Sequence, residues 1–217
     1  MRTITPPGVI DIGIACQDYL VRIPGWTETR FLQEAPETVF WEFEDGDIIV
    51  HSPVGIRHQQ IVGFLTFLMR GFVRDRLPGE VLNGPAVVRL RPNLLYEPDI
   101  FFVAADQMDR LRANYLDGAP RLVVEVTSPS TRNYDLTTKA WQYMQHGVDE
   151  LWVVDLEVQE LVRWVRTAKR VRKGRIRRGW AKSRALPGFR CKVAWLWQNP
   201  LPNEWDCLQE ILASMSP

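Results

Sequence analysis

Residues 122–131 read LVVEVTSPST, and residues 99–104 read DIFFVA. Each contains a short run of β-branched and aromatic residues, which predicts a strand buried on both faces of a sheet. Glu125 interrupts the first run, and Asp99 opens the second. A carboxylate in a buried strand is costly unless it is paired or binds a metal ion. The two stretches therefore predict a sheet with two acids that are either paired or bound to a metal ion.

The segments around these strands predict further strands interspersed with helices. VFWEFEDGDIIV at 39–50 predicts a hairpin that turns at Asp45-Gly46. Helices are expected over 57–76 and 134–146, and further strands over 80–82, 86–90, 151–154 and 188–196. This order favours an α/β fold: a mixed β-sheet flanked by helices, with an inserted basic hairpin over 160–184.

The chain length sets the domain organisation. With 217 residues and 46% hydrophobic composition, the chain is expected to form one globular domain. We expect an N-terminal arm over 1–35, the domain over 36–200 and a C-terminal tail helix over 201–217. No window reaches about 18 uninterrupted apolar residues, so no membrane span is expected. Three widely spaced cysteines favour a reducing, cytoplasmic location.

A net charge of +1 hides one concentrated basic segment. Residues 1–165 hold 15 Lys/Arg and 23 Asp/Glu, whereas residues 166–192 hold 12 Lys/Arg and no acid. Such a segment attracts phosphate backbones, so DNA is the expected partner. The candidate DNA-binding residues are Lys169, Arg170, Arg172, Lys173, Arg175, Arg177 and Arg178. The alternative is a solvated loop whose charge aids solubility.

Asp99 and Glu125 on neighbouring strands could share a divalent cation, and oxygen ligands of this kind suit Mg²⁺ or Mn²⁺. Lys139 lies in the following helix, where it could reach the same end of the sheet. Each residue also has a structural alternative. Backbone N–H groups could satisfy Asp99, Arg121 or Arg89 could pair with Glu125, and Asp135 with Lys139 could form a surface pair.

The three histidines carry no signal of their own. His58 is expected on the helix surface or as a capping residue, and His51 and His146 have no acidic partner at a telling spacing. Nucleophilic catalysis of the Ser-His-Asp or Cys-His type therefore has no support in the sequence.

Several strings resemble one known family. EPD at 97–99, LVVEVTSPST at 122–131 and GVDELWVVD at 147–155 are similar to the Uma-two family, as are Asp135, Lys139 and Tyr143. FWEFEDGDIIVHSP at 40–53 and LPGFRCKVAWLW at 186–197 are similar to its opening and ending. Members of this family are identified as restriction endonucleases of the PD-(D/E)XK nuclease superfamily. The resemblance covers residues 30–197.

The resemblance implies a metal-dependent nuclease core. Asp99 matches the first acid of the superfamily motif, and Glu125 matches the acid of its (D/E)XK strand. The motif lysine should stand two residues after Glu125, where this chain has Thr127. Lys139 then takes the role of that lysine, and Glu42 resembles an accessory acid.

The implied reaction is hydrolysis of DNA phosphodiester bonds that leaves a 5′-phosphate. Asp99, Glu125 and the Val126 carbonyl would hold one or two Mg²⁺ ions, and Lys139 would orient the attacking water or stabilise charge on phosphorus. Cutting both strands of a duplex usually needs two active sites, so a homodimer is expected. Two other classes stay open: a nucleic-acid-binding protein of this fold without catalysis, and a structural α/β domain that acts through protein partners.

Overall fold

The computed structural model of the protein describes residues 21–36, 40–51, 53–74 and 76–213. Fourteen strands are found in these ranges: β1 (Val21–Pro24), β2 (Trp41–Glu44), β3 (Asp47–Val50), β4 (Gly79–Asn83), β5 (Val87–Arg91), β6 (Leu94–Tyr96), β7 (Ile100–Ala104), β8 (Tyr115–Asp117), β9 (Leu122–Val126), β10 (Glu150–Asp155), β11 (Glu160–Arg166), β12 (Val171–Ile176), β13 (Trp180–Lys182) and β14 (Arg190–Lys192).

The α-helices of the same ranges are α1 (Glu28–Glu34), α2 (Ile56–Val73), α3 (Arg132–Tyr134), α4 (Ala140–Gln145) and α5 (Glu204–Ala213). A π-helical segment, Asp135–Lys139, joins α3 to α4 without a break. Short 3₁₀ helices cover Ala105–Arg110 and Val193–Trp197. No helix in the described part of the chain is long and apolar enough to cross a membrane.

The strands form two six-stranded sheets and one two-stranded sheet. The first sheet has the order β1-β3-β2-β6-β5-β8, and the second has the order β12-β11-β10-β9-β7-β4. β9 pairs with β10 in parallel, and β5 pairs with β8 in parallel, while the other pairs are antiparallel. The mixed α/β architecture agrees with the sequence expectation, although two large sheets replace the single sheet that was expected.

The second sheet is covered on both faces, which is why β9 and β10 are apolar throughout. Val124, Val126 and Trp152 face the core that contains α2 and α5. Val123 and Val153 face the opposite core, which contains α4 and part of the first sheet. Because side chains alternate along a strand, Glu125 shares the face of Val123, toward the helical segment that carries Lys139.

The predicted hairpin over 39–50 is present as β2 and β3. Asp45 and Gly46 both have positive φ, of 48° and 102°. Two such residues in succession define the turn that suits a tight hairpin, and glycine adopts this conformation at no steric cost. The predicted helix over 57–76 is α2, and its buried stripe packs on β9 and β4.

The expected arm is described only from Val21 onward; residues 1–20 lie outside the described part. β1 pairs with β3, and Phe31 of α1 packs against Phe43 in the core of the first sheet. We therefore propose that the domain boundary precedes β1 rather than falling at 36. In the expected tail, α5 packs on α2, and residues 214–217 lie outside the described part.

Two sequence expectations need correction in the C-terminal third. The expected strand over 188–196 is the short β14 followed by a 3₁₀ helix, because the apolar run from Val193 packs into a core rather than along a sheet. The basic hairpin is shorter than the expected range of 160–184, because β11 pairs only with β12, which ends at Ile176. Thr167 closes its turn, with its backbone N–H and hydroxyl both donating to the Arg170 carbonyl.

Candidate active site

Four elements bring the predicted catalytic residues into one cavity. Glu42 comes from β2, Asp99 immediately precedes β7, Glu125 lies near the end of β9, and Lys139 ends the π-helical segment. The cavity has a volume of about 50 Å³, room for a few water molecules. Its lining residues are Phe40, Glu42, His51, Val54, His58, Gln59, Glu97, Asp99, Glu125, Val126, Thr131, Asp135 and Lys139.

Lys139 is the centre of the charge network. Its Nζ lies 2.8 Å from Oε1 of Glu42 and 2.7 Å from Oε1 of Glu125, and its side chain is only 4% exposed. Asp135 is farther away, with 4.0 Å between its Oδ1 and Nζ. Lys139 is therefore not half of a surface pair with Asp135, which was the structural alternative. It is a buried cation held by two acids from different strands.

Glu125 is held by Lys139 and Tyr143 rather than by an arginine. The Tyr143 hydroxyl donates to Oε1 of Glu125 over 2.7 Å. Arg121 pairs instead with Asp106 and Asp149, and Arg89 pairs with Glu28 and Asp117. The pairing of Glu125 with Arg121 or Arg89, left open by the sequence, is therefore absent.

Asp99 has one engaged oxygen and one that is free in the described part of the chain. Its Oδ2 accepts the Val126 N–H over 2.7 Å and lies 3.2 Å from Nε2 of His58. The backbone N–H of Asp99 also faces Oε2 of Glu125 at 3.3 Å. The backbone thus satisfies Asp99 only in part, and Oδ1 is left for another ligand.

Two histidines that the sequence did not single out belong to this cavity. His51 Nε2 lies 2.8 Å from Oε2 of Glu42, and His58 is buried against Asp99. Burial favours the neutral imidazole in each case, but the neighbouring carboxylate outweighs it and raises the pKa of both histidines. The expectation that His58 lies on the helix surface is wrong, because the first turn of α2 points inward at this position.

Three acids of the cavity have raised pKa values. Burial, with repulsion from neighbouring acids, raises the pKa of Glu125 to about 7, of Asp135 to about 6 and of Glu97 to about 8. Lys139 opposes the increase in each case. Acids with raised pKa values in a cleft mark a functional site more often than a structural one.

Glu42 behaves in the opposite way. Burial would raise its pKa, but Lys139 and His51 together lower it to about 2. The same contacts act on Lys139: burial would lower the pKa of its ammonium group, and Glu125 and Glu42 raise it well above the usual value. Glu42 and Lys139 are therefore a charged pair at neutral pH, and Glu42 anchors the lysine.

The fit of a metal ion rests on the free oxygens. In the described residues, no group of three or more His, Cys, Asp or Glu side chains is arranged to hold a metal ion. The donor chemistry still suits a hard divalent cation, because Oδ1 of Asp99 is free and Oε2 of Glu97 is buried without a hydrogen-bond partner. Mg²⁺ commonly needs only one or two protein carboxylates and keeps several waters.

The candidate DNA-binding residues are divided between the two ends of the second sheet. Val126, Val154, Leu161 and Ile176 pair in one row across β9, β10, β11 and β12. Three strand spacings of about 4.8 Å place Ile176 roughly 14 Å from Val126 at the catalytic edge. Arg177 and Arg178 follow Ile176 at this edge.

The turn of the hairpin lies at the other end. Val171 lies five residue positions before Ile176, which places it roughly 17 Å from the catalytic row, and Lys169 and Arg170 lie beyond it in the turn. Arg172 lies near this end, and Lys173 lies over the ring of Trp164 at 4.7 Å. Arg175 and Arg177 both pair with the buried Glu160, at 2.7 and 2.9 Å. The candidate DNA-binding residues therefore lie on β12 or next to its two ends.

Comparisons with known proteins agree with this fold. The model of the Uma2 (Uma-two) family, described as "Putative restriction endonuclease", matches residues 26–194. This range is most of the chain, so the chain belongs to the Uma2 family. No curated protein matches the chain.

A solved structure from Anabaena variabilis ATCC 29413, described as a putative nuclease belonging to DUF820, is similar in fold. The TM-score is 0.65 at 17% sequence identity, and the match covers 79% of this chain and 97% of that one. At this identity the likeness concerns the fold alone, a mixed α/β fold.

Proposed function

We propose that this protein is a Mg²⁺-dependent endonuclease that hydrolyses phosphodiester bonds in DNA, with Mn²⁺ as the alternative ion. The observation that carries the proposal is the convergence of Asp99, Glu125 and Lys139 in one cavity, from three separate elements. The acids with raised pKa values support it, because a bound cation would offset both the burial of the carboxylates and their mutual repulsion. Membership of the Uma2 family supports the same reaction class.

The metal would be held by Asp99, Glu125 and the Val126 carbonyl, with water completing its shell. When bound, the cation would neutralise charge at the scissile phosphate and activate water. The Val126 N–H and His58 fix Oδ2 of Asp99, which keeps Oδ1 available. Asp99 is thus held in place by β9 on one side and by α2 on the other.

Lys139 would act on the phosphate side of the reaction. Its ammonium group has three N–H donors, and Glu42 and Glu125 accept two of them. The third is available for the attacking water or for an oxygen of the phosphate, where it would stabilise developing charge. Glu42 acts through Lys139 as a positioning residue. The product would carry a 5′-phosphate.

The partner and setting of the reaction follow from the same chemistry. DNA would bind along the basic residues of the hairpin, of which Arg177 and Arg178 lie at the catalytic edge. A homodimer would supply the two active sites that a double-strand cut requires. DNA as substrate favours a cytoplasmic location. Three widely spaced cysteines favour it as well, because their number and spacing do not fit a disulfide framework.

A plasmid cleavage assay tests the proposal. Wild-type protein should convert supercoiled DNA to nicked or linear forms with Mg²⁺ or Mn²⁺, and not in EDTA. Glu125→Gln should abolish cleavage, whereas Glu80→Gln, an exposed acid on β4, should leave it unchanged. Circular dichroism would establish that both variants are folded.

Cleavage and DNA-binding assays of the wild-type protein separate the remaining functional classes. DNA binding by wild type without cleavage at any divalent ion would favour the catalytically silent binding protein. Absence of both cleavage and salt-dependent DNA binding would favour a structural domain that acts through protein partners. Cleavage that persists in Glu125→Gln would contradict the assigned site.

A further inference from the structure

A second cavity adjoins the catalytic one and has no assigned use. Its volume is about 340 Å³, and His58 lines both cavities. The walls include Gly55, Arg57, Pro129, Arg132 and Leu156. A volume of this order lies within the range of small-ligand sites. It lies between the N-terminus of α2 and the loop that leaves β9, directly after the acid Glu125.

The N-terminus of α2 borders this cavity and has no side-chain cap. Gly55 is the N-cap and offers no side-chain hydrogen bond, and the first turn contains no acidic residue. The first N–H groups of a helix have no partner within the helix, and the helix dipole favours an anion there. α2 has 18 residues, so its dipole is fully developed. Helix N-termini of this kind are ready sites for phosphate groups.

Two buried polar atoms at this terminus also have no partner in the described part of the chain. They are Nη1 of Arg57 and Nδ1 of His58. Nη2 of Arg57 is engaged, because it donates to the carbonyls of Leu196 and Gln198 over 2.8 and 2.7 Å. The His58 side chain is 5% exposed, and only its Nε2 is used, at Asp99. Buried polar atoms are rarely left unsatisfied unless a ligand or water completes them.

The rest of the cavity suits the sugar and base of a nucleotide. Pro129 and Leu156 contribute carbon surface, and the loop around Ser128 is held rigid, since Ser128 Oγ contacts both Ser130 and Thr131. The one acid in the wall, Glu157, lies 3.5 Å from Nε of Arg132. Arg132 also holds the buried Asp155 through two nitrogens. The one acid of the wall is thus engaged, whereas Nη1 of Arg57 and Nδ1 of His58 have no hydrogen-bond partner in the described residues.

We propose that this cavity binds the nucleotide that flanks the cleaved bond, with its phosphate at the N-terminus of α2, Arg57 and His58. The shared wall at His58 places the site beside the catalytic cavity. The inference deepens the proposed function, on which it rests for the identity of the larger substrate. Binding of a single nucleotide in this cavity requires neither a metal ion nor cleavage.

The test is calorimetric titration with thymidine 5′-monophosphate in EDTA, so that no metal bridges the nucleotide to the catalytic acids. Gly55→Asp is the main variant. A Cβ at Gly55 meets nothing within 4 Å, and an aspartate at the N-cap would satisfy the first-turn N–H groups and add a negative charge. The same residue therefore stabilises the helix and competes with the phosphate, so the variant is expected to fold.

The matched control is Gly63→Asp on the exposed face of the same helix. A Cβ there also has open space, and the added charge is identical but lies two turns away from the terminus. Thermal melts of both variants would establish that they are folded. Thymidine without its phosphate serves as the ligand control.

Wild type and Gly63→Asp should bind thymidine 5′-monophosphate with affinities that agree within about twofold. Gly55→Asp should weaken binding by about tenfold or more, and thymidine should bind wild type at least about tenfold more weakly. Equal binding by Gly55→Asp and wild type would overturn the inference. So would the absence of wild-type binding up to about 10 mM. DNA cleavage without nucleotide binding would support the proposed nuclease and contradict the nucleotide site. Nucleotide binding without DNA cleavage would support the site and contradict the nuclease.

Discussion

The ammonium nitrogen of Lys139 lies 2.7 Å from Oε1 of Glu125, although the two residues belong to different elements. Thr127 stands where the motif of the superfamily would have its lysine. Its hydroxyl accepts the backbone N–H of Leu156 over 3.1 Å, which ties the ends of two strands together. The strand position is thus used for structure, and the helix supplies the cation to the same acid.

Removal of either proposed metal ligand should abolish cation binding. Calorimetry should detect Mg²⁺ or Mn²⁺ binding to wild type but not to Asp99→Asn or Glu125→Gln, since each loses one anionic oxygen donor. Asp117→Asn, at the surface of the first sheet, is the control and should bind as wild type does. Equal binding by all four proteins would place the metal elsewhere.

Replacement of the buried lysine should cost stability. Lys139→Met leaves Glu42 and Glu125 buried without their cation, and breaking a buried pair in this way typically costs about 3–5 kcal/mol. Urea unfolding at pH 7 measures the loss, which should shrink at pH 5 as carboxylates take up protons. Lys169→Met in the hairpin turn should change the free energy of unfolding by less than about 0.5 kcal/mol. If Lys139→Met also changed the free energy of unfolding by less than about 0.5 kcal/mol, Lys139 would not stabilise the two buried acids.

Glu97 should make stability fall as pH rises. Burial and the charge of Glu42 raise its folded-state pKa to about 8, above the ordinary value of 4.5. Between these values the folded state binds more protons than the unfolded state, so ionisation costs stability, by at most about 1.4 kcal/mol per pH unit. Glu97→Gln cannot ionise. Its free energy of unfolding should match wild type near pH 4.5 and exceed it increasingly up to pH 8, whereas Glu80→Gln should show no such trend.

The two ends of the basic hairpin should contribute differently to DNA binding. Each phosphate contact adds about 0.9 to the slope of log affinity against log salt. Arg177→Gln with Arg178→Gln, at the catalytic edge, should lower the slope by about two in a fluorescence anisotropy titration. Lys169→Gln with Arg170→Gln removes the same charge from the turn and should lower the slope by less. The opposite ranking would move the DNA track to the far end of the sheet.

The proposed homodimer is open to a direct test. Light scattering after gel filtration should give a mass near twice that of the 25.2 kDa chain, and with DNA the protein part of the complex should have the same mass. A single-chain mass that does not change with concentration would exclude a dimer, and double-strand cuts would then have to arise from successive nicks.

Local sequence determined much of the fold. The Asp45-Gly46 turn, α2 and the apolar strands β7, β9 and β10 each follow from neighbouring residues, because side-chain periodicity and backbone preferences act over a few positions. The acids Asp99 and Glu125 were recognisable for a related reason. A charge inside an apolar run violates the local pattern and needs an explanation.

Only the tertiary structure decided which residues meet at the site. His51 reaches Glu42 across the β2–β3 hairpin, His58 reaches Asp99 from α2, and Lys139 joins acids from two sheets. The position of Arg177 beside the catalytic edge, with the turn at the far end, follows from strand register. Register and packing depend on pairings between residues far apart in the chain, and no local pattern records such pairings.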